Sequence, residues 1–343
     1  MLKKYIEEIA EGKNLSQKEA GEAMEVIMSG QAVDTQIAAF LTALKIKGES
    51  SDEIAGFART LISHADPVPH AKPVLCNCGT GGDAKNTFNI STTASFILAA
   101  GGVYVAKHGN RSASSKSGAA DVLEALGVKV DLPARRVGAE IDQIGLGFLF
   151  APALNKAMKY VAKTRKELGF RTVFNMLGPI INPAGLDYQC VGIYDAALTN
   201  KVASVLREVG VKHALVFHSA DGMDEISTHA DTKVSELQHG EIKEYMLHPA
   251  DYGFAAEGGI ADYHGGEPTD NARITRRILS GEERGAKRDI VLMNAGAAFY
   301  AADRTASIAE GIQLAKEMID SGKAAAKLQE LIEVSNAPEA EAV

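Results

Sequence analysis

The sequence predicts an α/β protein in two parts, a small helical-bundle domain plus a larger α/β domain with a mainly parallel central sheet. Residues 1 to 69 carry only helix-like patterns. Beyond Pro67, Pro69 and Pro73, short apolar runs alternate with helical stretches, as parallel strands joined by crossover helices do. With 343 residues, 46% of them hydrophobic, the chain has enough apolar material for two cores.

In 1–69, Ser16-x-x-Glu19 and Ser50-x-x-Glu53 read as capping boxes, and Ile37, Phe40, Leu41 and Leu44 recur at helical spacing before Gly48. The α/β part opens over 70–149. KPVLCNC is its first strand, 92–100 a helix and 103–108 (VYVAKH) the next strand, which makes one βαβ unit; DVLEALG is a helix stopped by Gly127. Over 150–186 the strand pattern lapses. APALNKAMKYVAKTRKELG reads as helix and RTVFNMLGPIINPAG as a loop-rich segment, so this stretch is expected to return to the helical bundle. Alternation resumes over 187–333 with YQCVGIY, a helix over 200–210, the strand ALVFHS, the apolar run DIVLMNAG and a long helix over 308–321. The last ten residues, 334–343, are expected to form a flexible acidic tail.

A net charge of −8 argues against a broad nucleic-acid or membrane-surface role, which needs extended positive patches. Any anionic ligand must meet locally clustered cations. No apolar run reaches the roughly 20 residues of a membrane span. Three cysteines are too few for a disulfide framework, and the N-terminus lacks a signal-peptide pattern, so the expected compartment is the cytoplasm. Cys76-x-Cys78 has no second Cys/His pair at zinc spacing nearby and reads as two residues of a buried strand.

Chemistry gathers at three strand ends. Gly79-Thr80-Gly81-Gly82-Asp83-Ala84 satisfies G-x-G-x-x-A, but polar residues intervene before the helix and the second strand ends in Lys107-His108 instead of an acid, so the dinucleotide reading fails. The run from Gly109 to Ser117 lacks the second glycine of a Walker A loop. What remains is two polar loops leaving adjacent parallel strands. Glycines 79, 81 and 82 let backbone N–H groups approach an oxyanion, while Asn89, Ser91 and Thr92 sit where a helix starts. The second loop adds Lys107, Asn110, Arg111, Ser112, Ser114, Ser115 and Lys116, enough for two phosphate groups. After ALVFHS comes Asp221-Gly222-Met223-Asp224-Glu225. Paired carboxylates facing phosphates suit Mg²⁺, which binds through one or two carboxylates plus substrate phosphates.

Taken together, GTGGD, TFNIST, KHGNRSASSKSG, ADVLEALG, RTVFNMLGPIINPA, DGMDEIS and NAGAAFYAAD resemble the anthranilate phosphoribosyltransferase family over nearly the whole chain. The resemblance implies the two-domain nucleoside phosphorylase/phosphoribosyltransferase fold, a homodimer through the helical domain and a site in the interdomain cleft. It implies Mg²⁺-dependent transfer from phosphoribosyl pyrophosphate (PRPP) to the amine of anthranilate in tryptophan biosynthesis. Carried over position by position, it assigns PRPP to Gly79, Gly82, Asp83, Thr87, Asn89, Ile90, Ser91, Thr92, Lys107 and Ser115. Metal would fall to Ser91, Asp224 and Glu225. Anthranilate would fall to Gly79, Asn110, Arg165 and Gly178, with His108, Asn155 and Pro179 as further acceptor-side candidates. Two positions depart from the family pattern: Asn155 stands where a histidine is usual and Ala119 where a serine is usual. The alternatives are a related phosphoribosyltransferase with another aromatic acceptor, or a pyrimidine nucleoside phosphorylase, which shares the architecture and uses inorganic phosphate. A non-catalytic binder of phosphoribosyl ligands or nucleic acid is the reading from a different class.

Overall fold

The computed structural model describes residues 2–112, 116–254 and 258–338. Four helices lead: α1 (Leu2–Ala10), α2 (Gln17–Met28), α3 (Asp34–Lys47) and α4 (Ser51–Ser63). Both expected capping boxes form, Ser16 with Glu19 and Ser50 with Glu53. Glu53 does more than cap. Its buried carboxylate also pairs with Lys47 Nζ at 2.8 Å and accepts from Leu15 N–H at 3.0 Å, so the charge enters the bundle fully compensated.

Seven strands form one sheet: β1 (Val74–Gly79), β2 (Tyr104–Gly109), β3 (Leu146–Phe150), β4 (Tyr188–Gly192), β5 (His213–Ser219), β6 (Thr232–Gln238) and β7 (Glu241–Leu247). Their order is β3-β2-β1-β4-β5-β6-β7; β3 through β5 run parallel, and β6 and β7 add an antiparallel hairpin. That hairpin turns on His239-Gly240, both with positive φ (53° and 79°), as a primed two-residue turn requires. The strand pattern in the sequence showed four of the seven; β3, β6 and β7 go beyond it.

The remaining helices are α5 (Ile90–Ala100), α6 (Ala119–Ala125), α7 (Ala134–Ile144), α8 (Ala151–Leu154), α9 (Lys159–Leu168), α10 (Phe174–Ile180), α11 (Thr199–Glu208), α12 (Pro268–Leu279), α13 (Ala286–Ala301), α14 (Ile308–Asp320) and α15 (Lys323–Asn336). Val161 of α9 and Phe174 and Leu177 of α10 share a core with Phe40 and Leu41 of α3, so the 150–186 stretch packs on the bundle.

Three expectations need correction. The apolar run DIVLMNAG lies inside α13, whose residues Ile290 to Phe299 are buried on every side; a continuous apolar run has no period to separate strand from helix. The segment read as loop-rich contains α10, with Pro179 inside it. The tail is not loose from residue 334: α15 runs to Asn336, and Arg136 Nη2 donates to the carbonyls of Val334 and Ala337, each at 2.7 Å. Residues 339–343 lie outside the described residues.

From β1 the chain steps outward to β2 and β3 in one direction, and from β4 to β5 in the other. Neighbouring strand ends at such a reversal leave a crevice at their carboxyl edge. Gly79 and Gly192 pair there, at the ends of β1 and β4.

Candidate active site

A cavity of about 780 Å³ opens at that edge, between the sheet and α8 to α10. Its walls include Gly79, Gly82, Asp83, Thr87, Asn89, Ile90, Ser91, Thr92, Lys107, His108, Asn110, Asn155, Arg165, Gly178, Asp224 and Glu225. The structure thus gathers nearly every residue singled out from the sequence. Of the proposed binding residues, Ser115 falls outside the described residues, and Pro179 is not on the wall but buried in α10, its carbonyl accepting from Gln189 Nε2 at 2.8 Å.

The glycines work differently from expectation. At Gly79 a Cβ would stand 2.3 Å from Asp224 Oδ2, and at Gly192 one would stand 1.7 Å from the Asp224 carbonyl oxygen. These two make room for the acidic turn, not directly for a ligand. Gly81 and Gly82 have φ of 69° and 75°, and Gly81 donates its N–H to Asp224 Oδ2 at 2.6 Å. The glycine loop and the acidic turn, 143 residues apart in sequence, are therefore a single hydrogen-bonded unit.

Helix α5 begins at Ile90, two residues earlier than the pattern suggested, with Asn89 as its N-cap. The Asn89 side chain does not cap. It accepts from Asn271 Nδ2 (2.9 Å) and Ser117 Oγ (3.2 Å) and donates to the Ser117 carbonyl (3.1 Å), tying the helix start to the second loop. Ser91 N–H reaches Glu225 Oε1 at 3.3 Å, and Lys107 Nζ donates to Ser91 Oγ at 3.0 Å and to the Asn77 carbonyl.

Lys107 and His108 are successive strand residues and so face opposite sides of the sheet. Lys107 points toward α5 and the acids. His108 points toward α10, where its Nδ1 bonds the Gly178 carbonyl at 3.1 Å; the ring must donate there, which leaves Nε2 as an acceptor. Burial pushes its pKa down to about 4, so the ring is neutral.

Electrostatics single out the acidic turn. Burial, then the charge of Asp83, lifts Asp224 to about 7 despite the Gly81 N–H; burial, then the charge of Asp224, lifts Glu225 to about 8 against the opposing pull of Lys107. Neither carboxylate has an ion-pair partner among the described residues. A divalent ion fits the pair, and among the described residues no three His, Cys, Asp or Glu side chains are grouped to hold a metal alone. That is the donor set of a hard cation completed by ligand phosphates.

The second loop holds fewer free cations than its sequence suggests. Arg111 is clamped by Glu124 at 2.6 Å and Asp121 at 3.2 Å, while Asp121 also accepts from the N–H groups of Ser112 and Gly118, each at 2.9 Å. Lys116 is exposed and not on the wall. Ser114, like Ser115, lies outside the described residues.

Across the cavity, Arg165 projects from α9 over the Phe174 ring, 5.2 Å from its centroid, with no ion-pair partner among the described residues. Burial lowers its pKa, which marks a guanidinium short of solvation. Nearby, Asn155 donates weakly to the Leu61 carbonyl at 3.4 Å, and its buried Oδ1 has no partner among the described residues. Sequence reasoning missed Arg171, which donates to the Gly82 carbonyl while stacking 4.3 Å from the Tyr194 ring centroid. It also missed Asn271, which anchors Asn89 from α12; no local pattern marks either contact.

The helical bundle domain of the glycosyl transferase family matches residues 3–65, and the a/b domain of that family matches residues 71–325. The anthranilate phosphoribosyltransferase of Acetivibrio thermocellus is 52% identical over 337 residues, covering 98% of this chain and 97% of the relative. The crystal structure of the anthranilate phosphoribosyltransferase of Thermus thermophilus superposes with a TM-score of 0.92 at 42% identity, covering 97% of this chain and 99% of that one. The Saccharomyces cerevisiae enzyme in complex with PRPP and Mg superposes with a TM-score of 0.88 at 30% identity, covering 97% of both chains. The chain belongs to the anthranilate phosphoribosyltransferase family.

Proposed function

We propose that the cavity carries out transfer of the 5-phosphoribosyl group from PRPP to the amine of anthranilate, releasing pyrophosphate. The observation that carries this reading is the convergence of the glycine loop over 79–83, the start of α5 and the Asp224-Glu225 turn on one wall, with Arg165 on the other.

The glycine loop, Asn89, Ser91, Thr92 and Lys107 hold the sugar phosphates. Their donors are fixed before the ligand arrives, so little reorganisation is needed as negative charge builds on the leaving pyrophosphate. Ser91, Asp224 and Glu225 would hold Mg²⁺, which when bound supplies positive charge against the departing pyrophosphate. The yeast relative solved with PRPP and Mg supports the use of that metal with that donor. Arg165 offers a planar fork to the acceptor carboxylate. Asn110, the Gly178 backbone and neutral His108 border the same compartment. An aniline-type amine is unprotonated at neutral pH, so positioning and not a strong base carries the attack. A homodimer through the helical bundle belongs to the same reading, supported by Val33 and Ile46 at the ends of α3, 59% and 82% exposed.

Anthranilate fluorescence should fall when protein, PRPP and Mg²⁺ are combined, and stop falling when the metal is chelated. Asp224→Asn with Glu225→Gln should cut turnover by about a hundredfold or more with circular dichroism unchanged. Undiminished turnover in that variant at saturating Mg²⁺ would remove both carboxylates from the reaction.

A further inference from the structure

One pair of nucleophiles in the cavity has no part in the transfer. Cys76 and Cys78 are alternate residues of β1 and so share a face of the sheet. Their Sγ atoms stand 3.6 Å apart. Cys78 is partly exposed and lies on the cavity wall beside Gly79, whereas Cys76 is buried behind it. Cys190 pairs with Asn77 in the register of β1 and β4, which turns it to the opposite face. The pair is therefore a dithiol with a single open mouth.

The spacing selects what it can hold. A disulfide needs its sulfurs about 2.05 Å apart and Cβ atoms near 3.8 Å. Alternate residues of an extended strand advance about 6.6 Å, so direct oxidation would have to buckle β1. A single thiophilic atom bound to both sulfurs at about 2.3 Å with a tetrahedral angle separates them by about 3.8 Å. The observed distance fits that bite without moving the backbone. A zinc-like ion needs four ligands, and no third Cys, His, Asp or Glu is grouped with the pair among the described residues. Trivalent organoarsenic needs only two sulfurs, because its carbon substituent fills the third position and can extend into the cavity.

We propose that Cys76 and Cys78 form a capture site for trivalent organoarsenicals at the floor of the cavity, and that capture blocks transfer. With phenylarsine oxide, Cys78 attacks first from the wall and Cys76 closes the ring. Two As–S bonds form, the two thiol protons and the arsenic-bound oxygen leave as one water, and no electrons are transferred. The hydrogen bond with Cys78, aided by the charge of Lys107, holds Cys76 down to about 7 despite its burial and pushes Cys78 up, so near neutral pH the Cys76 sulfur takes the Cys78 proton as Cys78 attacks.

The test uses the wild-type chain. Native protein is treated with one equivalent of phenylarsine oxide, then unfolded without reductant and its free thiols counted and mapped. The expected result is loss of two of the three thiols, the survivor mapping to Cys190, with reversal by 2,3-dimercaptopropanol but not by 2-mercaptoethanol. Cys76→Ser and Cys78→Ser should each leave an adduct that 2-mercaptoethanol removes. Three surviving thiols, two surviving thiols, or loss of Cys190 would overturn the assignment, as would a captured adduct with undiminished turnover. The thiol count is independent of which acceptor the enzyme uses, so its failure leaves the transferase reading untouched.

Discussion

Asp224 concentrates the chemistry of this protein at a single residue. Its carboxylate takes an N–H from the glycine loop, lies against Gly79, whose missing side chain admits it, and repels Glu225 and Asp83, while its backbone lies against Gly192. Arg165 is its counterpart across the cavity, a cation over the Phe174 ring with no ion-pair partner among the described residues. Arg165→Ala should raise the KM for anthranilate by roughly tenfold or more, the scale of a lost charge-assisted hydrogen bond, and leave the KM for PRPP nearly unchanged. Steady-state kinetics in both substrates checks this; a matching rise for PRPP would move the residue to the donor side. A second residue-scale prediction lies far from the site. Burial opposes a charge on His213, but hydrogen bonds with Glu236 (3.1 Å) and Asp303 (2.8 Å) outweigh it and raise its pKa. A group whose folded pKa is raised contributes its stability fully below its unfolded value near 6.5, and loses it as pH climbs through the folded value. The urea midpoint should therefore fall as pH climbs above about 6.5, and His213→Gln should flatten that slope. An equal slope in the variant would assign the pH dependence to other groups.

At the scale of elements, the site depends on how loops are tied to one another more than on any single loop. Asp121 of α6 staples the second loop through two backbone N–H groups, Asn271 of α12 anchors the start of α5, and Arg171 links the segment before α10 to the glycine loop. The tightest of these junctions is that of β4 with the acidic turn. Gly192→Ala would drive a methyl group into the Asp224 backbone, where nothing can rotate aside. It should cost about 1–3 kcal/mol or more of stability and reduce turnover even where the fold survives. Urea denaturation with parallel activity assays measures both; wild-type values for both would mean that the turn shifts freely. The sequence pattern revealed the loops at these junctions, since glycines and polar runs at strand ends stand out locally. It did not reveal the ties, because Asn271 and Arg171 look like ordinary helix and loop residues until the fold brings them across.

For the whole molecule, the cavity lies between a sheet edge and helices that pack with the bundle, so ligands touching both walls should stabilise the folded chain as a unit. PRPP with Mg²⁺ at about 100 times its Kd should add about 2.7 kcal/mol, visible as a rise in Tm of several degrees. The same PRPP with chelator should give a smaller rise, because Asp224 and Glu225 then repel the pyrophosphate. Identical shifts with and without the metal would contradict the role given to the acidic turn. Among the described residues no helix is long and apolar enough to cross a membrane.

By itself the sequence determined the helical start, four of the parallel strands and the three polar turns at strand ends. Each of these leaves a local trace in periodicity, glycine placement or capping. Only the tertiary structure decided that Gly79 and Gly192 serve Asp224, that Arg111 is committed to Glu124 and Asp121, that Pro179 turns away, and that DIVLMNAG is helix. Those outcomes depend on contacts between residues tens to more than a hundred positions apart, and on which face of the sheet each side chain occupies. Local pattern carries no record of which acid will stand opposite which cation once β1 and β4 lie side by side.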